Sequence, residues 1–416
     1  MKKITVLLMS LLLVSSLLIG CSSQAPAENN NTPVAELDLS NYDEVLEEAR
    51  GTTVNFYGWG GSTHANAWVE DVLGGALKEQ YDITLNRVSS DIDQILTKLL
   101  SEKQLNADGT IDVVWINGEN FFTAMENDLL YGPFLDVLPN ANKYLDFNDP
   151  DVKYDFGFPT DGYEAPYGKA QMVLIMDQAK ISTLPTSAAE LLEVAKANPG
   201  MITYPAPPDF TGSAFVRNIV YEIVGHEQFI DMPADYDTVK EAVMPAMEYL
   251  LELKPYLWRN GETYPASITQ AESMFADGEI AFMMSYNPNF ISLKINTGEF
   301  PETSKAFLFD NGTIGNTHYL AIPKNSTNKA AALVLINEML SVESQVTKMD
   351  PDVWGDLAVL DVDKLNDQEL EYFNSIELGP GAVSNEELLT KRLPEVSAKI
   401  LVLIEQVWEE VVLNSN

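Results

Sequence analysis

Apolar positions along the chain fall into short runs closed by glycine, and these alternate with longer stretches of helical spacing. Thr53-Val54-Asn55-Phe56-Tyr57-Gly58-Trp59-Gly60-Gly61-Ser62 is the clearest run, a strand passing directly into a glycine-rich turn. Trp68, Val72, Leu73 and Leu77 then predict one buried face of a helix over 66–80. The stretch 83–88 alternates like a strand, 91–105 is helical, and 111–116 is a third strand; a short helix over 41–50 leads in. This order predicts an α/β domain with a parallel, doubly wound sheet. Ligands in such sheets sit beyond the carboxyl ends of the strands, where Tyr57, Trp59, Gly61 and Ser62 stand. A second strand-end turn, Asn117-Gly118-Glu119-Asn120, adds three hydrogen-bonding side chains.

The loop-rich stretch 131–158 leads to a strand over 167–176, read as a crossing between two lobes. A second α/β unit follows. Ser187 to Glu190 has the spacing of a capping box, 201–204 reads as a short strand, and Thr211-Gly212-Ser213 opens a helix carrying Phe215, Ile219, Val220 and Ile223. The free N–H groups of that helix start suit a polar or anionic ligand group. A helix over 237–253 and an aromatic loop over 258–264 come next. Thr269 to Glu272 again resembles a capping box, and the strand 279–286 ends at Tyr286-Asn287. The segment 312–323, with His318, reads as the return crossing, and Asn325-Ser326 caps an apolar helix over 329–340. The tail is mostly helical, with an amphipathic run over 386–413 that Pro394 breaks. The expected division is 41–165 plus about 312–370 for one lobe, and 166–311 plus about 371–416 for the other.

Composition changes the picture at the N-terminus. Lys2 and Lys3 precede an apolar run from Ile4 to Ile19, shorter than the ~20 residues that span a bilayer, and so read as a secretory signal. The single cysteine, Cys21, follows it, which excludes disulfides and thiol chemistry elsewhere. Residues 22–33 are polar and of low complexity, a flexible tether. With 62 acidic against 25 basic residues the formal charge is −37, which excludes nucleic acid as a partner and favours cations over anions at long range.

Leu18-Ile19-Gly20-Cys21 resembles a bacterial lipobox, which implies cleavage after 1–20, lipidation of Cys21 and a tether over 21–40. The order of lipobox, tether, lobe, crossing, second lobe and return crossing resembles an extracytoplasmic solute-binding protein of a bacterial ABC importer. Val54 to Ser62, Asp112 to Asn120, the small-Asp-Gly-Glu turn within Ala276 to Phe282, and Ile322-Pro323-Lys324-Asn325-Ser326 carry that resemblance. It implies the two-crossing, type II periplasmic-binding-protein fold, in the branch with iron, thiamine, polyamine and sugar binders. It also implies a membrane-anchored, extracytoplasmic monomer without a cofactor that captures a solute and delivers it to a membrane permease.

The residues themselves advertise no enzyme: there are only His64, His226 and His318, and neither a His-Glu-x-x-His nor a Gly-x-Ser-x-Gly pattern occurs. An extracellular hydrolase is the reading outside the transport class. Tyr57, Trp59, Tyr167, Tyr204, Phe210 and Tyr286 offer stacking faces, and Glu119, Glu164 and Asp209 offer negative charge, a combination suited to an organic cation. Phe56 and Trp115, inside apolar strands, read as core. The turn residues Trp59, Ser62, Glu119, Asn120 and Tyr286 remain open to either reading, as do a neutral sugar and tyrosine-held ferric iron as ligands.

Overall fold

In a computed structural model, residues 41–415 are described. The expected signal segment, Cys21 and the expected tether, residues 1–40, lie outside them. Strands β1 (Thr53–Gly58), β2 (Thr84–Ser89) and β3 (Val113–Ile116) are parallel, with β1 in the middle. Val54 and Phe56 point into the core, while Asn55 and Tyr57 on the opposite face are half-buried, the alternation of a strand covered more deeply on one side. The helix Ile92–Leu105 buries Ile95, Leu96 and Leu99, spaced for one face, against this sheet. No helix among the described residues is long and apolar enough to cross a membrane.

The crossing strand, Glu164–Gln171, and the return strand, Thr313–Pro323, join this sheet antiparallel to one another. The return strand also pairs with β3, setting Tyr319 opposite Ile116. A register shift between His318 and Tyr319 interrupts its ladder with the crossing strand. The chain leaves this sheet at Gln171 and enters a second one at Val173, and every residue from Ala170 to Asp177 is buried. That second sheet holds Val173–Asp177 between Ser304–Phe307 and Phe282–Ser285, antiparallel on both sides. The second lobe therefore does not repeat the parallel pairing of the first. The stretch 201–204 forms no strand, only a single bridge from Ile202 to Leu257.

The helices Phe210–Val224, Tyr236–Leu253 and Ala398–Trp408 pack into one large core, around Phe215, Leu250 and Trp408. The C-terminal amphipathic run is divided near Pro394, with Asn385–Thr390 on one side of the break and Ala398–Trp408 on the other. The helix Lys329–Met339 is buried on all sides. Asn328 is its N-cap position, and Ser326 instead accepts from Asn328 N and donates to Asp112 Oδ1 at 2.7 Å.

Two acids lie inside the first lobe at the root of the crossing strand. Glu164 is fully buried, and neither of its oxygens has a hydrogen-bond partner among the described residues. Asp155, equally buried, accepts from Gly118 N. Burial, and then their mutual repulsion for Glu164, raises both well above the ordinary carboxylate range. The folded state thus binds more protons than the unfolded chain between the ordinary value and the raised one, so stability declines as pH rises through that window. Glu164→Gln, which keeps the shape without the titration, is expected to flatten the fall in urea-unfolding free energy between pH 5 and pH 8. An unchanged slope contradicts this assignment.

Candidate functional site

The turn after β1 is shaped by close approaches. A Cβ on Gly61 would lie 2.1 Å from the Trp59 ring, so only glycine fits against the indole, which remains 45% exposed. Ser62 is the N-cap of the helix Thr63–Ala67, its Oγ accepting from Ala65 N at 3.2 Å, and Asn66 ties back to Gly60 O at 2.9 Å. The turn and the first helical residues, through His64 and Ala65, line a cavity of about 670 Å³ between the lobes, the size of a small-molecule site.

Across the cavity, one carboxylate fastens two helix starts. Asp209 Oδ1 accepts from Gly212 N at 2.8 Å as the N-cap of Phe210–Val224, and Oδ2 accepts from Ile268 N at 3.0 Å at the start of Ile268–Ala276. The first helix begins at Phe210, before the Thr211-Gly212-Ser213 turn that the sequence suggested. The second helix is capped by Ser267, which accepts from Gln270 N, while Gln270 reaches back to Ala266 N. Glu272 therefore is not the capping residue its spacing suggested, and it faces the cavity instead. Burial, opposed by Lys294, pushes its carboxyl up to about 7.

Aromatic rings form another part of the wall. Trp115, Trp354 and His318 line the cavity, with Trp115 5.1 Å from His318 and 6.2 Å from Trp354. Tyr167 packs edge-on behind Trp115 at 5.5 Å, and Trp68 lies 5.5 Å from Trp354. Beneath them Asp356 and Lys348, 1% and 0% exposed, pair at 2.7 Å. His318 Nε2 lies 3.4 Å from Asp356 Oδ1, an ion-pair distance without a hydrogen bond. Although burial opposes it, Lys348 and His318 hold the Asp356 carboxyl below its ordinary range. The cavity wall carries Asp91, Asp209, Glu272, Glu299 and Asp356 against a single cation, Lys294, which is itself paired with Glu299. His64 faces that pair, and burial and Lys294 pull it below its usual value.

Of the residues singled out in the sequence, the cavity brings together Trp59, Gly61, Ser62, His64, Asn117, Asn120, Asp209, Phe210, Thr211, Tyr286, Asn287 and His318. Tyr57 packs on the core beside Ile95 and Ile116. Glu119 lines a separate surface pocket with Phe122 and Lys399. Tyr167 is fully buried behind the wall, and Glu164 lies in the core. Gly212 is pressed against Pro205 O, where a Cβ would come within 2.0 Å, and Ser213 is bonded to Glu405 and Arg217. Arg217 is turned away in a buried bidentate pair with Glu395 at 2.8 and 2.9 Å, to which Tyr286 also donates. Tyr204 stacks on Phe215 in the second-lobe core, at 4.8 Å.

Sequence reasoning missed Trp354, Asp356, Glu272 and Lys294, and it read Trp115 as core. Trp354-Gly355-Asp356 has the same signal as Trp59-Gly60-Gly61, an aromatic beside a glycine in a turn, and Gly355 takes φ +79°. Asn287 Nδ2 donates to Trp354 O and Asn289 Nδ2 to Gly355 O, at 2.9 and 3.0 Å, so this loop is held from the second lobe.

The buried Lys348–Asp356 pair makes a stability prediction. Lys348→Met leaves a buried unpaired carboxylate and is expected to destabilise by about 3–5 kcal/mol, with Lys348→Met/Asp356→Asn recovering much of the loss. Chemical denaturation of the single and double variants measures this, and a single-variant loss below about 1 kcal/mol contradicts it.

A family model described as bacterial extracellular solute-binding protein matches residues 74–362. Protein YnjB of Escherichia coli K12 is 38% identical over 341 residues, 81% of this chain and 87% of its own length. Among solved structures, the Tp0655 (TpPotD) lipoprotein of Treponema pallidum superposes with TM-score 0.61 at 13% identity, covering 86% of this chain and 99% of that one. A periplasmic thiamin binding protein superposes with TM-score 0.60 at 16% identity, covering 86% and 96%. The fold is thus the two-lobed type II periplasmic-binding-protein architecture, and the chain belongs to the bacterial extracellular solute-binding proteins.

Proposed function

We propose that this protein captures a small organic cation, thiamine-like or polyamine in character, between its lobes and hands it to a membrane permease. The observation that carries the reading is the cavity wall itself, which sets five carboxylates against Lys294 and carries aromatic rings beside them. Carboxylates attract the charge, and the ring faces favour a cation or a flat apolar body. An anion is poorly served, because Asp209 occupies the N–H of Gly212 and Glu395 neutralises Arg217. A neutral sugar is the second reading, supported by Trp59 and Trp115 as stacking faces and by Asn120 at the rim. Ferric iron is disfavoured by the separation of the tyrosines: Tyr204 is in a core, Tyr167 is behind the wall, and Tyr286 is engaged by Glu395.

The rest of the reading follows the chain. Cys21 carries the lipid anchor after removal of 1–20, and 21–40 tethers a monomeric receptor to the extracytoplasmic face of the membrane. One lobe comprises 41–165 with about 312–370, and the other 166–311 with about 371–416. Packing of Ala398–Trp408 on Tyr236–Leu253 supports the second assignment. Replacing Cys21 with Ser is expected to release the protein from the membrane fraction.

A thermal-shift screen against thiamine, spermidine, sugars, amino acids and anions tests the ligand class. A cation at 100 times its dissociation constant is expected to stabilise the fold by about 2.7 kcal/mol. Trp59→Ala, an exposed position, is expected to weaken that binding by about 1 kcal/mol and leave the unliganded melting temperature unchanged. Stabilisation by sugars or anions alone overturns the cation reading.

A further inference from the structure

The carboxylates around the cavity are not equivalent. Asp209 accepts from two backbone N–H groups, Glu299 is paired with Lys294 and Asp356 with Lys348, while Asp91 is exposed to water. Glu272 differs from all four. It is half-buried, lines the cavity, and makes no side-chain hydrogen bond or ion pair among the described residues. Its charged surroundings come from three directions: Lys294 and Glu299 from the helix Phe290–Asn296 and the turn after it, Asp209 from the start of Phe210–Val224, and His64 beyond Lys294 from the first lobe. A carboxyl group without a donor, set among other acids at a ligand cavity, lacks only a positive partner.

We propose that Glu272 is the residue that reads the ligand's positive charge, and that the entering cation displaces the proton Glu272 carries in the free protein. This rests on the cation reading above. The reaction balances simply: protonated Glu272 and a cation give a Glu272 carboxylate–cation pair, and one proton passes to the buffer. With its carboxyl at about 7 in the free protein, Glu272 is part protonated near neutrality, and the bound charge pulls that value down. Binding is therefore weaker in acid and reaches a plateau above neutrality. Burial and then Lys294 pull His64 below its usual value.

Calorimetric titration of the whole protein with thiamine and with spermidine, in two buffers of different ionisation enthalpy, measures the protons released. At pH 7 the release is expected to be about half a proton per bound cation, and the affinity about tenfold lower at pH 6 than at pH 8, as titration of one group requires. Glu272→Gln is expected to abolish both the release and the pH dependence. If a cation binds with no proton release and Glu272→Gln binds it as well as the parent, the role of Glu272 is overturned and the cation reading stands. If neither cation binds and a sugar does, the cation reading falls and takes this inference with it.

Discussion

The ligand-facing wall depends on one close approach, that of the Gly168 backbone to the Asp356 carboxylate. A Cβ at Gly168 would lie 2.1 Å from Asp356 Oδ2, 3.0 Å from His318 Cδ2 and 3.1 Å from Lys348 Nζ. Only glycine lets the crossing strand, the return strand and the Trp354–Asp356 loop meet at this point. The ion pair is isolated from water, so its cost in desolvation is offset only while Lys348 and Asp356 stay together. Trp115, Trp354 and His318 stand on this base, and their positions follow from it.

The second lobe answers with a different device. Asp209 binds the starts of two helices at once, fixing Thr211 and Phe210 on one and Glu272 on the other around the same cavity. Using the carboxylate internally removes backbone donors that would otherwise attract an anion. The chain's charge of −37 acts in the same direction over longer range, drawing cations toward the molecule. The local and global electrostatics therefore agree, and the unpartnered Glu272 is where they converge.

Much of this was legible in the sequence, for reasons that differ by element. The parallel order of β1, β2 and β3 came from apolar runs alternating with helical spacing, and the crossing strands from long apolar runs beside Gly168 and Gly315. The strand-end rule placed Trp59, Asn117, Asn120 and Tyr286 at the cavity because it follows from topology. It failed for Ser213 and Gly212, since hydrogen bonding to Glu405, 192 positions along the chain, and a tight contact with Pro205 have no local signature. Periodicity also misplaced Trp115: on a strand bordering the cavity, one face looks toward core and the other toward ligand, and the run of Val113, Val114 and Ile116 hides the difference. Glu272 was masked by Thr269, which imitates a cap two residues after the true one, Ser267.

The central claim is that the cavity holds an organic cation between aromatic rings and Glu272, an acid that makes no hydrogen bond or ion pair among the described residues. A crystal structure of the protein with a bound cation from the thermal-shift panel tests it most directly. The account places the cation's charged nitrogen about 2.7–3.2 Å from a Glu272 oxygen, with its apolar part against Trp59, Trp115 or Trp354. A ligand seated with an anionic or neutral group at the Thr211 helix start and Lys294, leaving Glu272 without a partner, would contradict it.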